Sequence, residues 1–312
     1  MEDKSRVPDP VYVLRGSTSP VSSLTFDPHD QLWSGGLDGC VCSWNMVSRR
    51  SDIHLDAHHG QSVSWIEFLD NGEMVTQGRD GFVHFWSLQE SKLTNTGSIT
   101  SNQQGFCAGC VLSTDRGPTV LAIPGRETSE VDIVDISTRK SIGRCVPKSA
   151  IKLGMCMALA KTGNDSQFVT GYEDGSVALW DIRTFSMVDK VSMYNDSVIC
   201  MDYNPKIKKG AVGSVDNRLV TFSLTPDSKI QSGRELMVTN PGFNRILFRK
   251  DGKLFATGGW DGNVRLFSGK SVKPLAVLTY HKESVQTLAF STDKILASGS
   301  KDHHISLWDV YR

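Results

Sequence analysis

Three groupings in this chain hold residue types that could do chemistry. Cys107-Ala108-Gly109-Cys110 has the CxxC spacing of a zinc half-site or a redox dithiol. Zinc would need a second pair, and none of Cys40, Cys42, Cys145, Cys156 or Cys200 forms another CxxC. A redox dithiol would need a strand-to-helix context, which the neighbouring residues do not supply. Cys107, Cys110 and Leu112 instead follow the apolar spacing of an inner strand, so the thiols read as structural, and Cys40 and Cys42, on one face of a strand, read the same way. His58-His59 and His303-His304 are adjacent pairs; neighbours on a strand point to opposite faces, so neither pair chelates as a unit. Gly269-Lys270-Ser271 resembles the close of a phosphate-binding loop, but Val264 stands where the opening glycine belongs and no helix pattern follows. With GxSxG, HExxH and GxGxxG all missing, the sequence offers no catalytic residue, no cofactor and no metal site, and does not read as an enzyme.

The acids belong to a pattern. Asp38, Asp80, Asp174, Asp216, Asp261 and Asp302 each precede an aromatic by six residues: Trp44, Trp86, Trp180, Phe222, Phe267 and Trp308. Three residues after each Asp stands an apolar side chain (Val41, Val83, Val177, Leu219, Val264, Ile305). Directly after it come Gly39, Gly81, Gly175, Asn217, Gly262 and His303, types that tolerate the positive φ of a tight hairpin. Four residues before it lies a hydroxyl (Ser34, Thr76, Thr170, Thr257, Ser298), with Val212 breaking the rule. These acids therefore read as turn and hydrogen-bonding positions, and no carboxylate pair for acid/base work stands out.

Stepping outward to the elements that carry them, the Asp positions are 42, 94, 42, 45 and 41 residues apart. The long gap fits one degenerate unit over Thr119 to Ile136, in which Thr128 and Val134 replace the Asp and the aromatic. Seven units of mean period 44 result. A second apolar pattern precedes each turn, as in Val21-Leu24-Phe26, Val63-Ile66-Phe68 and Val285-Leu288-Phe290, and a variable outer strand such as Pro274 to Thr279 follows. No stretch sustains a helical period. This is the signature of the WD-repeat propeller blade. We expect an all-β, seven-bladed WD-repeat β-propeller formed as one domain over 1–312. In such blades the Asp, the Ser/Thr, the aromatic and an upstream His form a buried relay: His58, Thr76, Asp80 and Trp86 in blade two, and His281, Ser298, Asp302 and Trp308 in blade seven. The last unit lacks a fourth strand at Arg312, and residues 10–15 (PVYVLR) are the spare strand expected to close the ring as the outer strand of the last blade.

Composition bounds the partners. The chain has 312 residues and carries 34 Lys+Arg against 34 Asp+Glu. Zero net charge argues against nucleic acid or an anionic membrane as the main partner, though it leaves room for a local basic face. The longest apolar run, Met155 to Ala160, is far short of the ~20 residues that span a bilayer. MEDKSRVPDP lacks the apolar core of a signal peptide. The seven cysteines then read as reduced thiols, the sequons at Asn164 and Asn195 as unused, and the protein as cytoplasmic and nuclear.

Candidate partner-binding residues stand just before each turn Asp, near one rim of the ring: Leu37, Arg79, Glu173, Val215, Trp260 and Lys301. Trp and Arg are the side chains most enriched at binding hot spots. Trp260, in Gly-Gly-Trp-Asp-Gly, has little to bury against there and is the leading candidate. Arg126, in the irregular third blade, is a further one.

The chain also resembles, end to end, the guanine-nucleotide-binding-protein beta-subunit-like proteins, the family whose fungal member is the ASTRA-associated WD-repeat protein. The resemblance is carried by PDPVYVLRG (Pro8 to Gly16), TQGRDG (Thr76 to Gly81), AIPGR with EVDI (Ala122 to Ile133), LGMCMAL (Leu153 to Leu159), GYEDGSVALWD (Gly171 to Asp181), TNPG (Thr239 to Gly242), ATGGWDGNVRLF (Ala256 to Phe267) and SKDHHISLW (Ser300 to Trp308). The degenerate third blade belongs to it too. The first blade departs from the general repeat, with Gly16-Ser17 where a Gly-His pair is common, so its relay is incomplete. The resemblance implies a non-catalytic adaptor, monomeric by itself, that works with the Tel2–Tti1–Tti2 co-chaperone assembly, RuvB-like ATPases and client phosphatidylinositol-3-kinase-related kinases. Two other classes compete. A heterotrimeric G-protein beta subunit would carry an N-terminal coiled-coil helix, and only nine residues precede the first strand here. A cullin-ligase substrate receptor would use a WDxR box, which Trp180-Asp181-Ile182-Arg183 matches.

Overall fold

The computed structural model describes residues 8–90, 92–101, 105–112, 119–148, 151–164 and 166–310. Residues 1–7 of the MEDKSRVPDP stretch, Asp165 of the first sequon and Arg312 lie outside these. Every regular element among the described residues is a strand, and the strands form seven four-stranded antiparallel sheets. Blades one to six occupy 21–56, 63–100, 110–145, 156–192, 198–237 and 243–279, each in sequence order from inner to outer strand. Blade seven takes Val285–Phe290, Ile295–Ser300 and Ile305–Asp309, and its fourth strand is Tyr12–Leu14, which pairs antiparallel with Ile305–Asp309. The expected strand over 10–15 is thus regular across its central three residues, with Val11 N–H donating to Leu307 O at 2.8 Å beyond them.

Period-2 burial explains why the sheets stand as a ring. Both faces of a blade's inner three strands are apolar, so each sheet is covered by a neighbour on either side. The buried side chains divide into seven clusters, each shared by two adjacent blades. Trp33 and Val41 of blade one meet Met74 and Trp86 of blade two, and the series runs round until Ala297 and Ile305 of blade seven meet Val21, Leu24 and Trp44 of blade one. Leu14, from the closing strand, lies in that last cluster. Among the described residues no hydrophobic centre is shared by all seven blades; stability rests on pairwise interfaces.

The six Asp turns have one local cause. In each, the carboxylate accepts the backbone N–H two residues on: Cys40, Phe82, Ser176, Arg218, Asn263 and His304, at 3.0–3.2 Å. This Asx bond closes the turn, and positive φ at Gly39, Gly81, Gly175, Gly262 and His303 lets the chain reverse. Asn217 departs from expectation. It has no positive φ, and its side-chain amide donates to Val238 O instead.

Blade three differs in one further respect. Cys107, Cys110 and Leu112 do not occupy the face used by Val63, Ile66 and Phe68. They pack forward with Cys145, Cys156 and Trp180 towards blade four, while Val111 and Val134 pack back on Phe85 of blade two. Without a large aromatic at Val134 and without the short Asp turn, blade three itself brings only small and aliphatic side chains to the two interfaces, and its neighbours supply the aromatics Trp65, Phe85, Phe168 and Trp180. All seven thiols are free, and Cys107 Sγ lies 3.9 Å from Cys156 Sγ. Burial pushes the Cys110 and Cys145 thiols up to about 12, which keeps them protonated and unreactive.

Candidate interaction face

The turns between second and third strands all open on one face of the ring. In five of them the residue before the Asp donates its N–H to the connection entering its own blade: Leu37 to Pro20 O, Arg79 to Ser62 O, Glu173 to Met155 O, Trp260 to Gly242 O and Lys301 to Ser284 O, at 2.9–3.1 Å. With the backbone pinned inward, the side chain projects outward, and all five are exposed; Val215 is half-buried.

Beneath this rim the relay groups meet in blades two and seven. His58 Nδ1 lies 3.0 Å from Asp80 Oδ2, His58 Nε2 lies 2.8 Å from Thr76 Oγ1, and Trp86 Nε1–H donates to Thr76 Oγ1 at 2.9 Å. A carboxylate only accepts, so Nδ1 carries the proton; neutral His58 then accepts at Nε2 from the Thr76 hydroxyl. Among the described residues His58, Asp80 and His84 are the one group whose arrangement could hold a metal ion, with ligand atoms within 4.8 Å of one another. Both His58 nitrogens are already engaged in the relay. In blade seven, His281 Nδ1–H donates to Asp302 at 3.0 Å, and His281 Nε2 lies 3.0 Å from Ser298 Oγ and 2.9 Å from Ser306 Oγ. Trp308 Nε1–H reaches Ser306 at 2.9 Å and Ser298 at 3.2 Å. Ser306 is a fifth member that the spacing did not reveal.

The other blades hold the same Asp by substitute groups. Thr18 donates to Asp38 at 2.6 Å, and Lys190 to Asp174 at 2.8 Å. Arg265 reaches Asp261 with both terminal nitrogens, joined by Asn240 at 2.8 Å. In blade five Tyr194 stands where His58 stands in blade two. Its hydroxyl lies 2.7 Å from Val212 O and 2.9 Å from Arg218 O, with its one proton shared between them, and accepts the Val220 N–H at 3.1 Å, so the absence of a hydroxyl at Val212 leaves no gap. Blade six has no relay His, Phe267 stands at the relay Trp position, and the buried Thr257 hydroxyl has no partner.

Burial pushes the His58 imidazole below its ordinary value, against the pull of the Asp80 carboxylate, and His84 shifts the same way for the same reasons. A depressed folded-state value means that the unfolded chain takes up the proton first as pH falls. The stabilisation is complete above about pH 6.5 and is lost below it. At Asp302 burial alone would raise the pKa, but the bonds from His281 and from the Lys282 and His304 N–H groups outweigh it and bring it to about 2. That contribution persists to about pH 4 and is lost towards the folded value. We expect the thermal midpoint to fall between about pH 7 and 5.5, and to fall less in His58→Gln. A flat wild-type profile over that range would contradict a neutral His58.

On the rim itself the candidates divide. Trp260 is 45% exposed, seated on Gly242, and its Nε1–H donates to Asn244 Oδ1 at 2.8 Å. Asn244 in turn donates to Ser284 Oγ at 2.6 Å and Val285 O at 2.8 Å in blade seven. The ring thus has a platform of its own, contrary to expectation, and still presents a face to solvent. The Arg79 guanidinium lies 4.6 Å over the ring of Phe106, itself 69% exposed. Glu173 is turned to internal use, accepting the Met155 N–H at 3.0 Å. Lys301 and Arg126 are exposed. Phe82 and Phe106 are further exposed aromatics that the sequence pattern does not single out as contact residues. Phe82 had a signal, since it follows the turn glycine where other blades carry Cys40, Ser176, Asn263 or His304. Arg183 of the WDxR box is 71% exposed on its side chain, and its guanidinium is held by Asp181 at 2.6 and 3.1 Å.

The closed ring and its Asp turns define a WD-repeat propeller. The family model for the WD domain, G-beta repeat, matches residues 8–45, 239–268 and 272–309, covering the closing strand, the first three strands of blade one, and blades six and seven. The chain is 36% identical to guanine nucleotide-binding protein subunit beta-like protein 1 of Mus musculus over 97% of both chains. It is 28% and 26% identical to ASTRA-associated protein 1 of Schizosaccharomyces japonicus and Schizosaccharomyces pombe, over 98% of this chain and 100% of each relative. The chain belongs to the guanine nucleotide-binding protein subunit beta-like protein 1 family.

Proposed function

We propose that this propeller is a stoichiometric scaffold that helps a Tel2–Tti1–Tti2-type co-chaperone assembly mature phosphatidylinositol-3-kinase-related kinases, together with RuvB-like ATPases, in cytoplasm and nucleus. The end-to-end similarity to proteins named for association with ASTRA carries this reading. The exposed Trp260 and the Arg79–Phe106 pair support the rim as the contact face, because aromatic and arginine anchors dominate protein–protein binding energy. A scaffold acts by binding, so depleting it is expected to lower the protein levels of several such kinases together while their messenger RNA is unchanged. Rescue by wild type but not by Trp260→Ala with Arg79→Glu would support the rim. Full rescue by the double variant would move the contact elsewhere on the ring. Normal kinase levels after depletion would end this reading and favour the cullin-receptor alternative at Trp180–Arg183.

A further inference from the structure

The balanced net charge conceals a segregated one. On the face opposite the rim, the loops at 205–209, 249–253 and 269–273 bring together Lys206, Lys208, Lys209, Lys250, Lys253, Lys270 and Lys273. These loops form one surface. Gly269 N–H donates to Lys253 O at 2.8 Å, Asn204 donates to Arg249 O at 2.9 Å, and the Lys209 ammonium donates to Lys270 O. Arg234 extends it by donating to Ser271 O at 3.1 Å. The one acid in the three loops, Asp251, is taken by the buried Arg249 at 3.0 and 3.1 Å. Among the described residues no salt bridge joins any of the seven lysines to a carboxylate, and six of the seven are exposed. Seven like charges held together, with Asp251 as the one acid in their loops and that acid already paired with Arg249, create a positive potential that a polyanion relieves.

The surroundings select the kind of polyanion. The three loops contain no aromatic side chain on which bases could stack, and Arg234 is the one arginine among eight solvent-facing cations, where phosphate recognition favours the guanidinium fork. Directly after Lys273 begins Pro274–Thr279, the outermost strand of blade six, with Leu275 41% and Val277 44% exposed. This strand climbs the flank of the blade by about 3.3 Å per residue, away from the lysine loops. A flat bilayer resting on the lysines would not reach Val277, whereas an extended chain can turn from the loops onto the strand. We propose that the lysine face and this outer strand dock an extended polypeptide segment with a run of Asp/Glu followed by apolar residues at alternate positions. This surface is separate from the rim, and its test does not depend on the co-chaperone reading.

The probe is a fluorescein-labelled peptide with an octaglutamate run followed by alternating valine and threonine, titrated with the whole protein at several salt concentrations. Lys206→Glu with Lys253→Glu and Lys270→Glu is expected to weaken binding by about tenfold or more and to flatten the salt dependence. Val277→Asp is expected to weaken it by a smaller factor, while Lys92→Glu with Lys140→Glu leaves it unchanged. Where the triple Glu variant melts early, the matching Lys→Gln triple, checked for a wild-type melting curve, takes its place. Equal losses in the triple and the control variants would overturn the proposal, as would tighter binding of short duplex DNA or phosphatidylserine-containing vesicles than of the peptide, which would assign the face to a phosphate backbone or a lipid surface.

Discussion

Deleting residues 1–16 is expected to lower the thermal midpoint by roughly 5–10 °C and to make the protein prone to aggregate. The deletion removes the three-residue pairing of Tyr12–Leu14 with Ile305–Asp309, so the third strand of blade seven becomes the sheet edge. Each blade ends in an outer edge, but here the edge moves inward to a strand whose first four residues are buried and apolar-rich, a better template for pairing with another chain. It also removes the fully buried Leu14 from the cluster that joins blades seven and one. Loss of a buried leucine costs about 2–5 kcal/mol. Calorimetry of the deleted protein, with and without a peptide of residues 8–16 added in trans, checks both parts. A melting curve unchanged by the deletion would show that the closing strand contributes little to the ring.

Asp302→Ala is expected to cost about 2–3 kcal/mol, and Asp216→Ala clearly less. Both substitutions remove the Asx bond that closes the turn, to His304 N–H and Arg218 N–H respectively. Only the first also strands a buried histidine. His281 Nδ1 and the Lys282 N–H lose their acceptor, in a network shared with Ser298, Ser306 and Trp308. Asp216 is more exposed and is paired with Arg218, while Tyr194 holds its blade from the position of the histidine without touching the carboxylate. Chemical denaturation of the two variants measures the difference. Equal losses would mean that the carboxylate matters only as a turn residue.

The repeat was legible because one local rule, a side-chain oxygen bonding the N–H two residues on, recurs with the same neighbours in six blades. The closing strand was legible because an unpaired strand pattern and an incomplete blade complement each other. What escaped was whatever depends on neighbouring chain. Ser306 joins the blade-seven relay only because its strand places it beside Ser298, and spacing from Asp302 does not reveal that. Tyr194 replaces a histidine by filling the same volume with a different donor. The face reversal of Cys107, Cys110 and Leu112 follows from what packs on blade three, since a one-residue slip moves every side chain to the other face. Trp260 was found as an unusual turn residue, but its seat on Gly242 and its bridge through Asn244 to blade seven needed coordinates. The basic face was hidden by a total charge of zero, because its lysines come from three separate loops.

Stoichiometric binding through the rim, the role proposed for this propeller, can be read from size-exclusion chromatography with light scattering on the purified propeller mixed with a Tel2–Tti1–Tti2-type assembly. One co-eluting species carrying one propeller per assembly is expected, with separate peaks when Trp260→Ala with Arg79→Glu replaces the wild type. Separate peaks for the wild type, at concentrations where the assembly itself is intact, would contradict it.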